Sequence, residues 1–226
     1  RSIISHKYKF IFIKNRKVAG TSTEIYLNKY KGKADVFTPL GRDAGVGGHV
    51  PQNYGGLFNP FKGIKARNIL QRRVLKNFYE GKKFWNHIPA KLIKARIGDK
   101  IWDNYYKFCI ERNPWDKTIS EYYFKRGLRD IGSIDDFFAR GRFPKDLSRY
   151  SIKGKIAVDK ILRYENLLDE LSEVFGELGI PWEGSLGVRA KGGFRKDRRP
   201  YTEVLSEEQI EIIAKEFADE IRIMKY

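Results

Sequence analysis

The apolar positions along the chain alternate between short dense runs and helical spacing. Residues 8–13, Tyr-Lys-Phe-Ile-Phe-Ile, are rich in aromatic and β-branched side chains and predict a strand. A polar loop with one glycine follows, and 21–30 predict a helix with an apolar patch at Ile25, Tyr26 and Leu27. Residues 35–37 predict a short second strand, 41–56 a glycine-rich surface loop, 64–79 a basic helix and 88–97 a further short helix. Residues 105–111 predict a central strand. Asn113 then suits an N-cap, and Pro114 the first position of a helix reaching about Lys125. Ser133 opens another capped helix, 158–164 predict a strand, and 167–178 an amphipathic helix stopped by Gly179 and Pro181. A basic loop spans 184–200, and the capping-box pattern Ser206-Glu207-Glu208-Gln209 opens one last helix through about Met224. No repeat or linker interrupts this alternation. The expectation is one domain over 1–226, with a mainly parallel sheet covered by helices.

Composition narrows the class of partner more than the fold. The chain has 226 residues and is 41% hydrophobic, enough to bury a sizeable core. Its net charge of +17 favours anionic partners: nucleotides, nucleic acid, acidic glycans or an anionic membrane surface. The same excess also serves a basic, well-solvated surface. Cys109 is the only cysteine, so no internal disulfide forms, which fits a reducing compartment. No apolar run approaches the ~20 residues of a membrane span, and no signal peptide is visible. The expected compartment is cytoplasmic for an untruncated bacterial chain, or the Golgi lumen for one that has lost an upstream anchor. Oligomeric state is not legible.

The first candidate chemistry lies in Lys17-Val18-Ala19-Gly20-Thr21-Ser22, between a predicted strand and a predicted helix. Gly20 permits close backbone approach, Thr21 and Ser22 add hydroxyl donors beside the first-turn N–H groups, and Lys17 supplies a mobile charge. In the usual triphosphate loop, G-x-x-x-x-G-K-[ST], the lysine follows the glycine. Here it precedes it, and the strand at 158–164 leads into Glu165 and Asn166 rather than into a magnesium-binding aspartate. A metal-dependent NTPase is disfavoured; a basic turn capping a helix would produce the same pattern.

A second constellation runs from Glu111 to Phe124. Arg112 stands at a strand end and Ser120 about two turns into the next helix, so the two can converge on one phosphate. An Arg–carboxylate pair with a solvent-facing serine is the alternative. With both blocks in this order, the chain resembles the sulfotransferases that use 3′-phosphoadenosine-5′-phosphosulfate (PAPS), especially the membrane-type and bacterial carbohydrate branch ("family 2" type). The segment from Phe10 to Ser22 is similar to that family's 5′-phosphosulfate loop, and Phe108 to Tyr123 to its 3′-phosphate motif. Segments 87–90 and 164 onward are similar too, so the likeness spans nearly the whole chain apart from 41–56.

The resemblance implies a P-loop-NTPase-like α/β three-layer sandwich, with a central mainly parallel sheet flanked by helices. It implies PAPS as donor, no metal, and an acceptor hydroxyl on an acidic or neutral glycan, with no nucleic acid expected. Lys17 would contact the 5′-phosphate and the bridging oxygen, and Val18, Ala19, Gly20, Thr21 and Ser22 would wrap that phosphate. Arg112 and Ser120 would bind the 3′-phosphate. Where the family often has proline, this chain has Arg16, a second phosphate contact or an exposed cation. The basic segment 190–201 is similar to the family's closing element, which points to Lys191, Arg195 and Tyr201; a solvated charge run reads the same way. His87 matches the family's histidine-bearing segment and is the favoured general base. His49 is a possible acceptor-side group, and Glu24 or Glu111 stays open as a carboxylate base. A P-loop-like kinase, or a non-catalytic anion-binding module, are the competing functions.

Overall fold

The computed structural model describes residues 2–39, 49–55, 83–188 and 193–226. Seven strands make up two sheets among the described residues. The larger sheet is built from β1 (Ile3–Ser5), β2 (Phe10–Ile13), β3 (Val36–Phe37), β4 (Tyr106–Glu111) and β7 (Lys160–Arg163), in the order β3-β1-β2-β4-β7. β2, β4 and β7 run parallel, with Phe12 beside Phe108 and Cys109 beside Ile161. β1 pairs antiparallel with β2 and with β3. The sheet thus has a parallel core and an antiparallel edge.

Alternation within β2 shows why both faces are covered. Phe10 and Phe12 enter one apolar cluster, Ile11 and Ile13 the other. The first cluster is closed by α1 (Gly20–Asn28), through Tyr26 and Leu27, and by α7 (Leu167–Leu178), through Leu171, Val174 and Phe175. The second is closed by α2 (Ala90–Ile97), through Ala90 and Ile93, and by Trp102 of α3 (Asp99–Asn104). Helix, sheet and helix make an α/β three-layer sandwich, as expected. A dense apolar run such as Phe-Cys-Ile in β4 suits a strand buried on both faces. Each fully buried Phe or Ile contributes ~1.5–3 kcal/mol.

A third cluster joins α4 (Pro114–Leu128) to α5 (Ile134–Ala139) and to the C-terminal helices α8 (Tyr201–Val204), α9 (Glu207–Glu216) and α10 (Ala218–Met224). The capping predictions hold here. The Asn113 side chain accepts from Trp115 N and Asp116 N, and Ser133 and Ser206 each form a reciprocal capping box. Gly179 ends α7 in the left-handed conformation, φ 68°.

Three features depart from expectation. β1 goes unpredicted; it forms a hairpin with β2 over a turn in which Lys9 has φ 53°. The last helix is broken at Phe217, whose φ/ψ of −112°/23° leaves the helical region while its ring is buried in the third cluster. A short helix α6 (Leu147–Tyr150) and a hairpin of β5 (Ser151–Ile152) and β6 (Lys155–Ile156) fill a stretch without sequence signal. Residues 41–48 and 56 of the expected glycine-rich loop, the expected helix 64–79, and 189–192 of the expected basic loop, with Lys191, lie outside the described residues. No helix among the described residues is long and apolar enough to cross a membrane.

Candidate active site

The carboxyl ends of the three parallel strands point to one place. β2 runs into loop 14–19, β4 into Arg112 and β7 into Tyr164, and all three line one cavity of about 280 Å³. Open α/β sheets bind ligands at this edge, because the loops and helix N-termini that follow the strands face it.

Loop 14–19 is fastened from both sides. Asn15 Nδ2 donates to the Ile110 carbonyl (3.0 Å) and to Glu111 Oε1 (2.9 Å), tying it to β4. Lys14 Nζ donates to Thr21 Oγ1 (2.9 Å) and to Glu24 Oε2 (2.6 Å), tying it to α1. A Cβ on Gly20 would come within 2.7 Å of the Lys14 stem, so the glycine makes room for that lysine. Lys17 and Ala19, at φ 59° and 57°, are both left-handed without being glycine. Such residues cost of order 1–2 kcal/mol each and persist only where their surroundings enforce them. Ala19 is the N-cap of α1 and gives it no side-chain cap, which leaves the helix N-terminus suited to an anion.

The second constellation meets the first. The Arg112 guanidinium lies 4.3 Å from the Tyr164 ring centroid, and its Nη1 donates to the Lys17 carbonyl (3.4 Å). Burial draws the Arg112 pKa down from its ordinary value, with Tyr164 and Asp116 opposing that shift. Ser120 and Phe124, one helical turn apart on α4, both line the cavity, and Lys17 Nζ sits 4.0 Å over the Phe124 ring. Two blocks about 100 residues apart thus share a cavity.

His87 also lines the cavity. Its backbone is left-handed, φ 58°, and its Nδ1 lies 2.9 Å from the Lys14 carbonyl. A carbonyl only accepts, so Nδ1 carries the proton and Nε2 is left as the acceptor. Burial, reinforced by the cations Lys14 and Arg149, lowers the His87 pKa to about 2. The unfolded chain takes up this proton near pH 6.5 and the folded chain near 2, so stability contributed by His87 is lost as pH falls through 6.5. The slope is at most ~1.4 kcal/mol per pH unit. Burial raises the Glu111 carboxyl to about 7, which gives the opposite slope in any variant and cancels from a difference. The gap in unfolding free energy between wild type and His87→Gln is therefore expected to shrink by ~1–2 kcal/mol between pH 7 and 5. Denaturant titrations at both pH values measure it, and a constant gap would mean that His87 is not held neutral.

Around this centre the expected residues sort by position. Arg16 lines the cavity, with Nε donating to Asp146 Oδ1 (2.9 Å) and Nη2 to the Lys145 carbonyl (2.7 Å). Arg195 also lines it, with Nη1 paired to Asp116 Oδ1 at 2.7 Å. Tyr201 is not part of the wall; it stacks on Trp115 at 5.1 Å and fixes α8 on α4. His49 lies against Phe37, away from the wall. Glu24 and Glu111 are buried and committed to Lys14 and Lys117.

Several wall residues went unread: Lys14, Asn86, Glu121, Tyr164, Phe194 and Arg198. Tyr164 was findable as the residue next to a strand's carboxyl end. Phe194 packs edge-on to Phe124 (5.2 Å) and fits only because Gly127 has no Cβ, which would lie 2.4 Å from its ring. Six cationic side chains against the single carboxylate of Glu121 make the described wall strongly positive.

No family model matches the chain. A crystal structure of a sulfotransferase from Alicyclobacillus acidocaldarius aligns over 93% of this chain and 92% of its own, at 14% identity and a TM-score of 0.44. A protein of Archaeoglobus fulgidus described as "Uncharacterized protein" is 36% identical over 122 residues, which cover 48% of this chain and 98% of that protein. With that identity over nearly the whole relative, the chain belongs to the same protein family as the A. fulgidus protein.

Proposed function

We propose that the chain is a sulfotransferase that moves a sulfuryl group from PAPS to an acceptor hydroxyl on a carbohydrate. The observation that supports this most is the single cavity lined by both loop 14–22 and the Arg112–Ser120 pair. A donor with phosphates at both ends of one nucleoside needs two cationic grips, and an ordinary triphosphate does not. In this reading Lys17, Gly20, Thr21, Ser22 and the uncapped start of α1 hold the 5′-phosphate. Arg112 and Ser120 hold the 3′-phosphate, with Arg195 and Arg198 along the wall beside them.

The donor supplies an activated sulfuryl group, and the chain's residues supply position, charge and a proton acceptor. Lys17 stabilises negative charge on the departing phosphate. His87 Nε2 accepts the acceptor's hydroxyl proton. A pKa of about 2 makes a weak base, and a bound polyanion counters the Lys14 and Arg149 charges that help to depress it. Glu24 and Glu111 are poorly placed for that role, since each already neutralises a buried lysine.

The test is binding of adenosine 3′,5′-bisphosphate. At about a hundredfold excess over Kd it is expected to stabilise the fold by ~2.7 kcal/mol. Labelled sulfate transfer from PAPS to a glycan panel then reports the acceptor. Absence of both binding and stabilisation overturns the proposal, and magnesium-dependent ATP turnover would replace it with a kinase.

A further inference from the structure

Asp146 was invisible as a functional residue in the sequence and its side chain is wholly buried beneath the cavity. Four donors converge on its two oxygens. Oδ2 accepts from the Arg16 backbone N–H (2.8 Å) and from Lys117 Nζ (3.0 Å); Oδ1 accepts from Arg16 Nε (2.9 Å) and from Arg149 Nε (2.7 Å). A carboxylate has about four acceptor positions, so this one is saturated. Burial alone would push its pKa up, but Lys117, Arg16 and the Arg16 N–H outweigh that and hold it below the usual carboxylate range.

The two arginines lead to two parts of the cavity lining, loop 14–19 and His87. Arg16 is the residue before Lys17, and both its backbone and its side chain are gripped, which fixes the loop where Lys17 turns left-handed. Arg149 reaches past Asp146 and donates through Nη1 to the His87 carbonyl. His87 in turn donates from Nδ1 to the Lys14 carbonyl, closing a ring from Asp146 through Arg149, His87 and Lys14 back to Arg16. Lys117, held between Asp146 and Glu111, anchors the ring to the end of β4.

We infer that Asp146 is the positioning residue of this site, and that through Arg149 and Arg16 it sets the separation of the His87 imidazole from the Lys17 side chain. This rests on the sulfotransferase reading of the same cavity. For an in-line transfer that separation is the distance between proton acceptor and leaving-group cation, and misplacing either by ~1 Å costs on the order of 100-fold in rate. Asp146 touches neither partner in the reaction and acts only through the two arginines. An asparagine at 146 would keep the shape but turn one oxygen into a donor facing two arginines or a lysine.

The two arms separate experimentally. Arg149→Met removes the His87 arm and is expected to lower kcat by ~10- to 100-fold, with donor KM and bisphosphate Kd within twofold of wild type. Arg16→Met removes the side-chain part of the loop arm and is expected to weaken bisphosphate binding by ~10-fold. Asp146→Asn should show both effects. Added guanidinium should restore part of kcat to Arg149→Ala, whose guanidinium site lies at the partly exposed edge of the cluster. Arg149→Met with wild-type kcat overturns the inference. So does an Arg149→Met in which kcat, donor affinity and melting temperature fall together, since that is general loosening. Wild-type chain that fails to bind the bisphosphate overturns the sulfotransferase reading instead, and wild-type transfer activity keeps the two outcomes distinct.

Discussion

Replacing Lys17 with alanine is expected to lower kcat for sulfate transfer from PAPS by ~100- to 1,000-fold while the chain still folds. Removal of one preorganised group that stabilises developing charge typically costs that much. The fold should persist because Lys17 is only half-buried and stands outside the three apolar clusters. Its ammonium sits 4.0 Å over the Phe124 ring, a contact of a kind that contributes ~0.5–1 kcal/mol. The left-handed backbone at 17 burdens lysine and alanine alike, so the substitution adds no strain. Measured kcat at saturating donor, beside a melting curve, checks both halves. Turnover at the wild-type rate would remove Lys17 from the chemistry.

Arg112→Ala should act mainly on donor affinity, by ~100-fold. The guanidinium is half-buried against Tyr164 at the end of β4, where charge-assisted hydrogen bonds to phosphate are strong and less screened than at an open surface. Two such bonds at ~1.5 kcal/mol or more each give that factor. The diagnostic comparison uses adenosine 5′-monophosphate, which lacks the 3′-phosphate. Wild type should bind it ~100-fold more weakly than the bisphosphate, and Arg112→Ala should bind the two nearly alike. If the variant still prefers the bisphosphate as strongly as wild type does, Arg112 does not hold the 3′-phosphate.

Local chemistry made much of this site legible. The strand–loop–helix at 8–30, the Asn113–Pro114 helix start, the two serine capping boxes and the Gly179 stop all depend on neighbours within a few residues. The two anion-binding blocks could be read because each is a short run whose residue types act together. Arg112 and Ser120 needed only β4 and α4 to be correctly bounded in order to face one cavity.

The remainder depends on partners distant in the chain. β1 is three residues long, too short for a period to register, and exists because β2 and β3 pair with it. Gly20 read as clearance for a phosphate, whereas its missing Cβ also clears the stem of Lys14. Arg16 read as an open choice between ligand and solvent; Asp146, 130 residues away, holds its side chain at the cavity wall. Tyr201 read as a ligand contact, and its stack on Trp115 comes from a residue distant in the chain. Nothing local marks 146 as different from any surface aspartate. Its significance comes from burial, which makes an unpaired charge so costly that four donors must converge on it. The sequence by itself determined the elements and the two anion-binding blocks, because these follow from short-range sterics, capping and residue chemistry. Only the tertiary structure decided how His87 is placed relative to Lys17, because that distance is set by buried charges whose partners the chain brings together only when it folds.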